Sequence, residues 1–450
     1  MGASSCPASS AAASSTGGAH VWSRDLGGPD GSEAHAVATD GTAMAVAGYY
    51  SGTFNPGGGP LVINESGRQT GYVTAHCGDG TFKWGRAFAG SLQTVAQRVV
   101  VDSDGGVVVT GYYNDMTDTV TEGAGSSCCW EQGFILSFAA DGTMRWQRSY
   151  VVPRTNALLG VGVDGENNVY VGGHFYNQVD PGGGMVFSDG TVDVVVAKYS
   201  AEGTHLWTRH FGGAGSAYLS GLRVEGDSIL LAGNYDQDLT LDSHVLGAGA
   251  GAGGGFVAAL DHDGNTLWAL SVQATNMTVS ALAASSLGNV YVAGVFEQAL
   301  TAGDVSLQAS AADGFSYFVL AVDAAGIPSW GTTFVTRTYG GGLIERVSLA
   351  ADAEGSVFVA AGVAQDVVMG EQTFAVTDPS DVFVASLTSA GTLRWGRVLG
   401  GSQQQHAQDL AVNERLYLVG GFNAPMDFGT ATLTIPNGSD MHSYAAALER

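Results

Sequence analysis

The sequence predicts an all-β protein, a seven-bladed β-propeller with four-stranded blades whose ring is closed by an N-terminal strand. Three observations predict it. Seven of the eight tryptophans recur at 22, 84, 146, 207, 268, 330 and 395, at intervals of 62, 62, 61, 61, 62 and 65 residues. A fixed period of this size marks a repeat architecture. The same grammar surrounds each Trp: Trp207 opens W-T-R-H-F-G-G, and L-R-V-E-G-D-S-I-L-L-A-G-N-Y follows. Finally, short segments rich in Val, Ala, Leu, Tyr and Phe lie between Asp/Gly turns, and no helical period survives for ten residues.

Each repeat reads as four strands, exemplified by A (Gln97–Asp102), B (Val107–Tyr113), C (Phe134–Ala139) and D (Met144–Tyr150). Tight turns join A to B and C to D, as at Asp102-Ser-Asp-Gly105 and Asp261-His-Asp-Gly264. Asp tolerates turn geometry and Gly supplies positive φ, so these are hairpin turns. One such sheet cannot bury both faces, whereas a radial array buries each face against a neighbour. Strand A supports this: one position holds Val37, Val99, Val161, Leu222, Leu282, Leu349 and Leu410. Its predecessor points the other way and holds Ala36, Arg98, Gly160, Gly221, Ala281, Ser348 and Asp409, small enough for strands crowded round an axis. The Trp is expected to dock between blades, worth about 3–5 kcal/mol each.

The ends complete the pattern. The last strand C, near Ser443–Leu448, has no strand D after it, and the first Trp strand, His20–Leu26, has no strand C before it. Pairing them removes two open edges. Residues 1–18 read as a disordered Ser/Ala tether and 19–450 as a single propeller. The tether carries no basic segment followed by an apolar one, so no signal peptide is present in the chain as given. Ser4-Ser5-Cys6 has the look of a mature lipoprotein start, which makes Cys6 a candidate for a lipid anchor. Four cysteines in 450 residues make no disulfide framework, and Cys77, Cys128 and Cys129 are expected to be unbridged or only incidentally bridged.

The motifs W-x-R-x-φ-G-G, V-x-V-D-x-x-G-x-V-Y-V-A-G-x-F and F-V-A-K-x-D-x-D-G resemble the bacterial β-propeller repeat family of the SBBP type. Trp146–Leu206 matches best, with Asn168-Val-Tyr-Val-Gly-Gly173 and Val195-Val-Ala-Lys-Tyr199. The resemblance covers 20–450 and implies a secreted or cell-surface bacterial protein, mostly without assigned activity, so it carries over no catalytic residues. The chain departs from it at Leu270 and Thr332, where the Arg two after Trp is missing.

Composition excludes several classes. Against 42 acidic residues stand 17 basic ones, a net charge of −25; nucleic acid is bound through clustered Lys and Arg. No run of 18 apolar residues exists to span a membrane. There is no G-x-S-x-G, no H-E-x-x-H and no zinc-type cysteine spacing. The G-x-G-x-x-G at Gly249, Gly251 and Gly254 precedes no helix and reads as a loop. Asn234, Asp236, Asp238 and Asp242 form the densest oxygen cluster, a weak calcium candidate. Otherwise no cofactor is expected.

The D–A and B–C connections vary between repeats while the hairpin turns do not. Variable loops on a rigid scaffold are where binding sites sit. Ligand contacts are therefore expected at Tyr49, Arg98, Tyr112, Trp130, Asn234 and Asp409, on the long-loop end. The function that follows is a non-enzymatic extracytoplasmic recognition or scaffold protein whose partner is a protein or glycan. The alternative is a glycan lyase or hydrolase using loop acids such as Glu33, Asp115, Glu122, Glu297, Glu345 and Asp409, which would need two carboxylates with separated pKa values. The charge balance gives one direct expectation. The folded chain should pass through heparin without retention at about 0.15 M salt; retention would reveal a basic patch assembled from distant arginines.

Overall fold

A computed structural model of the chain describes residues 6, 17–28, 30–62, 69–89, 93–114, 131–151, 158–248, 253–309, 315–335, 347–378, 380–435 and 440–450. All regular structure among these residues is β-strand, paired antiparallel within its sheets. Among them no helix is long and apolar enough to cross a membrane. Each sequence repeat forms a four-stranded meander in the order A-B-C-D. The first comprises Ser32–Thr39, Ala43–Tyr50, Thr70–Cys77 and Phe82–Phe88; the second Gln93–Val101, Val107–Asn114, Glu131–Phe138 and Met144–Val151. The continuous strand Thr266–Ala284 serves first as D of the fourth repeat and then as A of the fifth.

Strand A of each repeat packs on strand A of the next, and Gln405–Val412 of the last packs on Ser32–Thr39 of the first. The arrangement is β-propeller-like. Between neighbouring A strands the links run from side chain to backbone: Ser220 Oγ donates to Val279 O at 2.7 Å and Ser348 Oγ to Gln408 O at 2.8 Å. Asp409 accepts the N–H of Val37 at 3.0 Å. The uniformly apolar strand-A position is buried throughout, from Val37 to Leu410. Outer faces pack in the same way, so each repeat shares apolar clusters with its neighbours.

The tryptophans set the spacing between repeats. Six of them donate their indole N–H to a carbonyl in the next repeat's C–D turn: Trp22 to Gly78, Trp84 to Ala140, Trp146 to Ala201, Trp207 to His262, Trp268 to Ala324 and Trp330 to Ser389, at 2.7–3.1 Å. Two residues beyond each acceptor stands a positive-φ glycine lying on the Trp ring. A Cβ on Gly142, for example, would stand 2.6 Å from Trp84.

The N-terminal segment enters this scheme. Strand His20–Asp25 pairs with His442–Leu448, setting Trp22 opposite Ala447 and Asp25 opposite Tyr444. Gly18, at φ +76, lies on Trp395 as the turn glycines do, and its N–H donates to Glu449 O. The spacing G-x-x-x-W, present at Gly142 and Trp146, also holds for Gly18 and Trp22. Within the segment expected to be a tether, Gly17, Gly18 and Cys6 thus contact the folded repeats. Cys6 is joined by a disulfide to Cys77, at the end of a C strand. This corrects the cysteine expectation: the Cys6 sulfur is committed to the bridge and is not a free thiol for a lipid. A loop spanning 71 residues of sequence is long enough for its closure to restrict the unfolded chain appreciably. Cys128 and Cys129 lie outside the described residues. If Gly18 serves as a turn glycine, Gly18→Ala should destabilise by about 1–2 kcal/mol in urea unfolding, the same loss expected of Gly142→Ala; a neutral Gly18→Ala would show that the N-terminal turn contributes nothing.

Candidate functional site

Strand A carries a repeated irregularity that positions the site. In five repeats one extra residue interrupts the A–B register: His35, Gln97, Ser220, Ser280 and Gln408. All five are polar. A bulge bends its strand and re-aims the neighbouring side chains. Opposite each bulge stands the strand-B glycine of the repeat motif, namely Gly48, Gly111, Gly233, Gly294 and Gly420. A Cβ there would stand only 1.8–2.1 Å from a strand-A carbonyl oxygen. The glycine is thus required by the close approach of the bulged backbone.

At the end of the molecule bearing the long connections, the bulges gather a polar cluster around Glu33. Tyr49 donates its hydroxyl to Glu33 Oε2 at 3.0 Å, and His406 Nε2 lies 2.9 Å from Oε1, to which Gln408 also donates. His35 Nε2 is 3.6 Å from Oε2, and its ring meets Tyr49 edge-on at 5.4 Å. Burial alone would raise the Glu33 pKa. The hydrogen bonds and charges of His35 and His406 outweigh it and hold the carboxyl well below the usual range. Burial pushes the Tyr49 hydroxyl up, and the Glu33 charge adds to it. Glu33 is therefore an ionised acceptor and not a proton donor.

Further along the same end, Gln93 donates to the Tyr112 hydroxyl at 3.3 Å. His174 meets Tyr218 edge-on at 5.1 Å and is pushed down to about 4 by burial. Asn234 is committed to structure: it donates to Ser220 Oγ and Val279 O and accepts the Val279 N–H, stitching the fourth repeat to the fifth. Beside it opens a cavity of about 530 Å³, lined by Tyr218, Asn234, Asp236, Gln273, Asn276 and Met277.

Arg98 and Asp409 fall elsewhere. Both line a narrow cavity of about 70 Å³ between the A strands, together with Arg223, Ser280 and Ser348. Burial raises the Asp409 pKa, opposed by Arg223 and Arg98 and by the N–H groups of Val37 and Leu410. A cavity this small lies far below the roughly 300 Å³ at which ligand pockets begin. The three calcium candidates are exposed and do not converge: Asp236 accepts from Ser216 N–H, Asp238 from Ala248 N–H and Asp242 from Thr266 N–H. Among the described residues, the one set of three metal-ligating side chains that does converge is Asp189, Asp193 and His210. Trp130, Asp115, Glu122 and Glu345 lie outside the described residues.

Sequence reasoning placed Tyr49, Tyr112 and Asn234 at this end and missed His35, His406 and Gln408 as partners of Glu33. For His35 and Gln408 the signal was the bulge, which strict alternation conceals; His406 stands in regular register opposite Gly421 and meets Glu33 only because the last repeat packs on the first.

No known family profile matches the chain. It is 22% identical to an uncharacterized WD repeat-containing protein of Acanthamoeba polyphaga mimivirus, over 49% of this chain and 19% of the relative, so it spans less than a fifth of that curated protein. Among solved structures it is similar to the β-propeller domain of the Trilobed protease from Pyrococcus furiosus, at 7% identity and TM-score 0.45, covering 91% of this chain and 99% of that one. It is also similar to hydrazine synthase of Kuenenia stuttgartiensis, at 11% identity and TM-score 0.44, covering 93% and 97%.

The Glu33 cluster has a pH signature. A depressed folded-state pKa contributes stability that is full above the ordinary carboxyl value of 4.5 and is lost as pH falls toward the folded-state value. Glu33→Gln should therefore cost about 1–3 kcal/mol at pH 7, and wild type and variant should converge in acid. A difference that stays constant from pH 7 to pH 3 in chemical denaturation would show that the carboxylate charge plays no part.

Proposed function

We propose that this chain is a seven-bladed β-propeller of the SBBP repeat type, closed by its N-terminal strand. In this reading it is a non-enzymatic extracytoplasmic recognition or scaffold protein, binding a protein or glycan through its long-loop end. The pairing of His20–Asp25 with His442–Leu448 supports the closure. The Cys6–Cys77 bridge fits an oxidising compartment. Distant similarity to a WD repeat-containing protein fits a propeller whose role is interaction.

One observation carries the assignment of the binding end. The cavity of about 530 Å³ opens among tyrosine, amide and carboxylate side chains at the long-loop end. At the opposite end, Asp102, Asp164, Asp261, Asp323 and Asp352 each bond to the backbone of their own turn. Their carboxylates are spent on hairpin geometry. Amides, tyrosine and a carboxylate together suit a hydroxyl-rich or polar peptide ligand, which offers donors and acceptors to both.

The hydrolytic alternative needs a protonated acid beside an ionised carboxylate. Glu33 is held ionised with its oxygens engaged, and Asp409 is confined to the narrow axial cavity. Glu297 accepts a hydrogen bond from Asn276 at the cavity's edge. Geometry thus favours binding over catalysis.

The test is capture of polysaccharide and protein fractions by the folded chain, followed by substitutions at both ends. Tyr218→Ala and Gln273→Ala are expected to weaken capture at least tenfold, while Asp141→Asn, at an exposed turn, leaves it unchanged. Loss of capture in Asp141→Asn with retention in the other two would reverse the assignment of ends.

A further inference from the structure

We infer that Asp189, Asp193 and His210 form a divalent-metal site on the third repeat, of the class built from two carboxylates and an imidazole. Strand C of that repeat is Val186–Tyr199 and strand D is His205–Phe211, registered with Val195 opposite His210. Asp193 lies diagonally across from His210. The chain bends just before it, so that the Asp189 N–H donates to Asp193 Oδ2 at 2.8 Å. One ligand atom from each of the three residues falls within 4.8 Å of the others, and His210 Nε2 is 3.4 Å from Asp189 Oδ2.

Asp193 is fully buried at 0% exposure, and its Oδ1 has no hydrogen-bond partner. A buried carboxylate oxygen without a donor is costly unless a proton or a cation meets it. The carboxylate rests on the backbone of Gly212, where a Cβ would stand 2.1 Å from Oδ1. Only glycine fits beside it.

The sixth repeat provides an internal control. Asp381 occupies the same strand-C position, is equally buried, and rests on Gly400 in the same way. There both oxygens are satisfied: Oδ2 accepts from Thr377 N–H, Thr377 Oγ1 and Asp378 N–H, and Oδ1 accepts from Gly401 N–H. Thr377 stands where the third repeat has Asp189, and Val398 where it has His210. The two repeats share one buried carboxylate. At the two neighbouring positions where they differ, the third gains a metal ligand each time. Imidazole nitrogen with two carboxylates selects zinc, manganese or cobalt over calcium or magnesium, which prefer all-oxygen sets. Asp189 and His210 are partly exposed, at 69% and 33%, leaving a path for the ion and for waters that complete its coordination.

The full chain, stripped with chelator, is titrated with Zn²⁺ by calorimetry and with Co²⁺ by visible absorption. One stoichiometric site is expected. Asp193→Asn should weaken it at least tenfold, and so should His210→Gln, whose partly exposed position makes it the variant safest for folding. Asp242→Asn, an exposed acid on another loop, should leave it unchanged. Absence of stoichiometric binding in the wild type, or binding unaffected by His210→Gln, overturns the site.

Discussion

The indole of one repeat reaching into the turn of the next, made by six of the seven repeat tryptophans, is the interaction on which the rest of the structure depends. A single four-stranded meander has two apolar faces and no means of covering them. The Trp fixes how its neighbour must lie: the ring packs against a positive-φ glycine, and the N–H is satisfied by a turn carbonyl two residues earlier. Buried tryptophan supplies large apolar area but demands a partner for its N–H, so position and orientation are set together. With six repeats held by this rule, the A strands pack on one another, and small or mutually compensating side chains fill the space between them. Arg98, Arg223 and Asp409 meet there for that reason.

The bulges belong to that packing. Where the A strands of neighbouring repeats pack on one another, the extra residue bends strand A and re-aims its side chains. The glycine opposite is the counterpart of that bend, since a strand-A carbonyl occupies the space a Cβ would need. The displaced polar residues then meet side chains of adjoining repeats. Glu33 and His406 lie 373 positions apart in sequence, yet they are brought together because the last repeat packs on the first. An acid flanked by two histidines, a tyrosine and a glutamine is thus a product of the last repeat packing on the first, acting on ordinary residues.

This explains what the sequence disclosed and what it withheld. The Trp period, the hairpin turns and the uniformly apolar strand-A column are local or strictly periodic, and periodicity survives without coordinates. Tyr49 and Tyr112 were legible because they stand at the ends of recognisable B strands. His35 and Gln408 were not, because alternation assumes an unbroken register and the bulge shifts it by one residue. The Cys6–Cys77 bridge joins a segment with no repeat signature to a strand end, so no spacing announced it. Gly18 was within reach, since its distance to Trp22 equals that of Gly142 to Trp146. The polar, small-residue composition preceding it concealed the match.

Where repeats share one backbone frame, distinct chemistry can enter only through single side-chain departures from the shared pattern. Asp381 and Asp193 illustrate this at one position: with threonine and valine nearby the carboxylate is a satisfied cap, and with aspartate and histidine nearby it retains an unmet oxygen. Glu33 and Asp409 illustrate it along one pair of packed strands, where imidazoles keep the first ionised at the open end while burial favours the proton on the second inside the narrow cavity. A scaffold of this kind tolerates such changes because its stability is distributed over many equivalent Trp-to-turn contacts, each independent of any one mouth residue. The regular positions hold the frame, and the irregular ones are where a ligand or an ion finds groups not already committed to it.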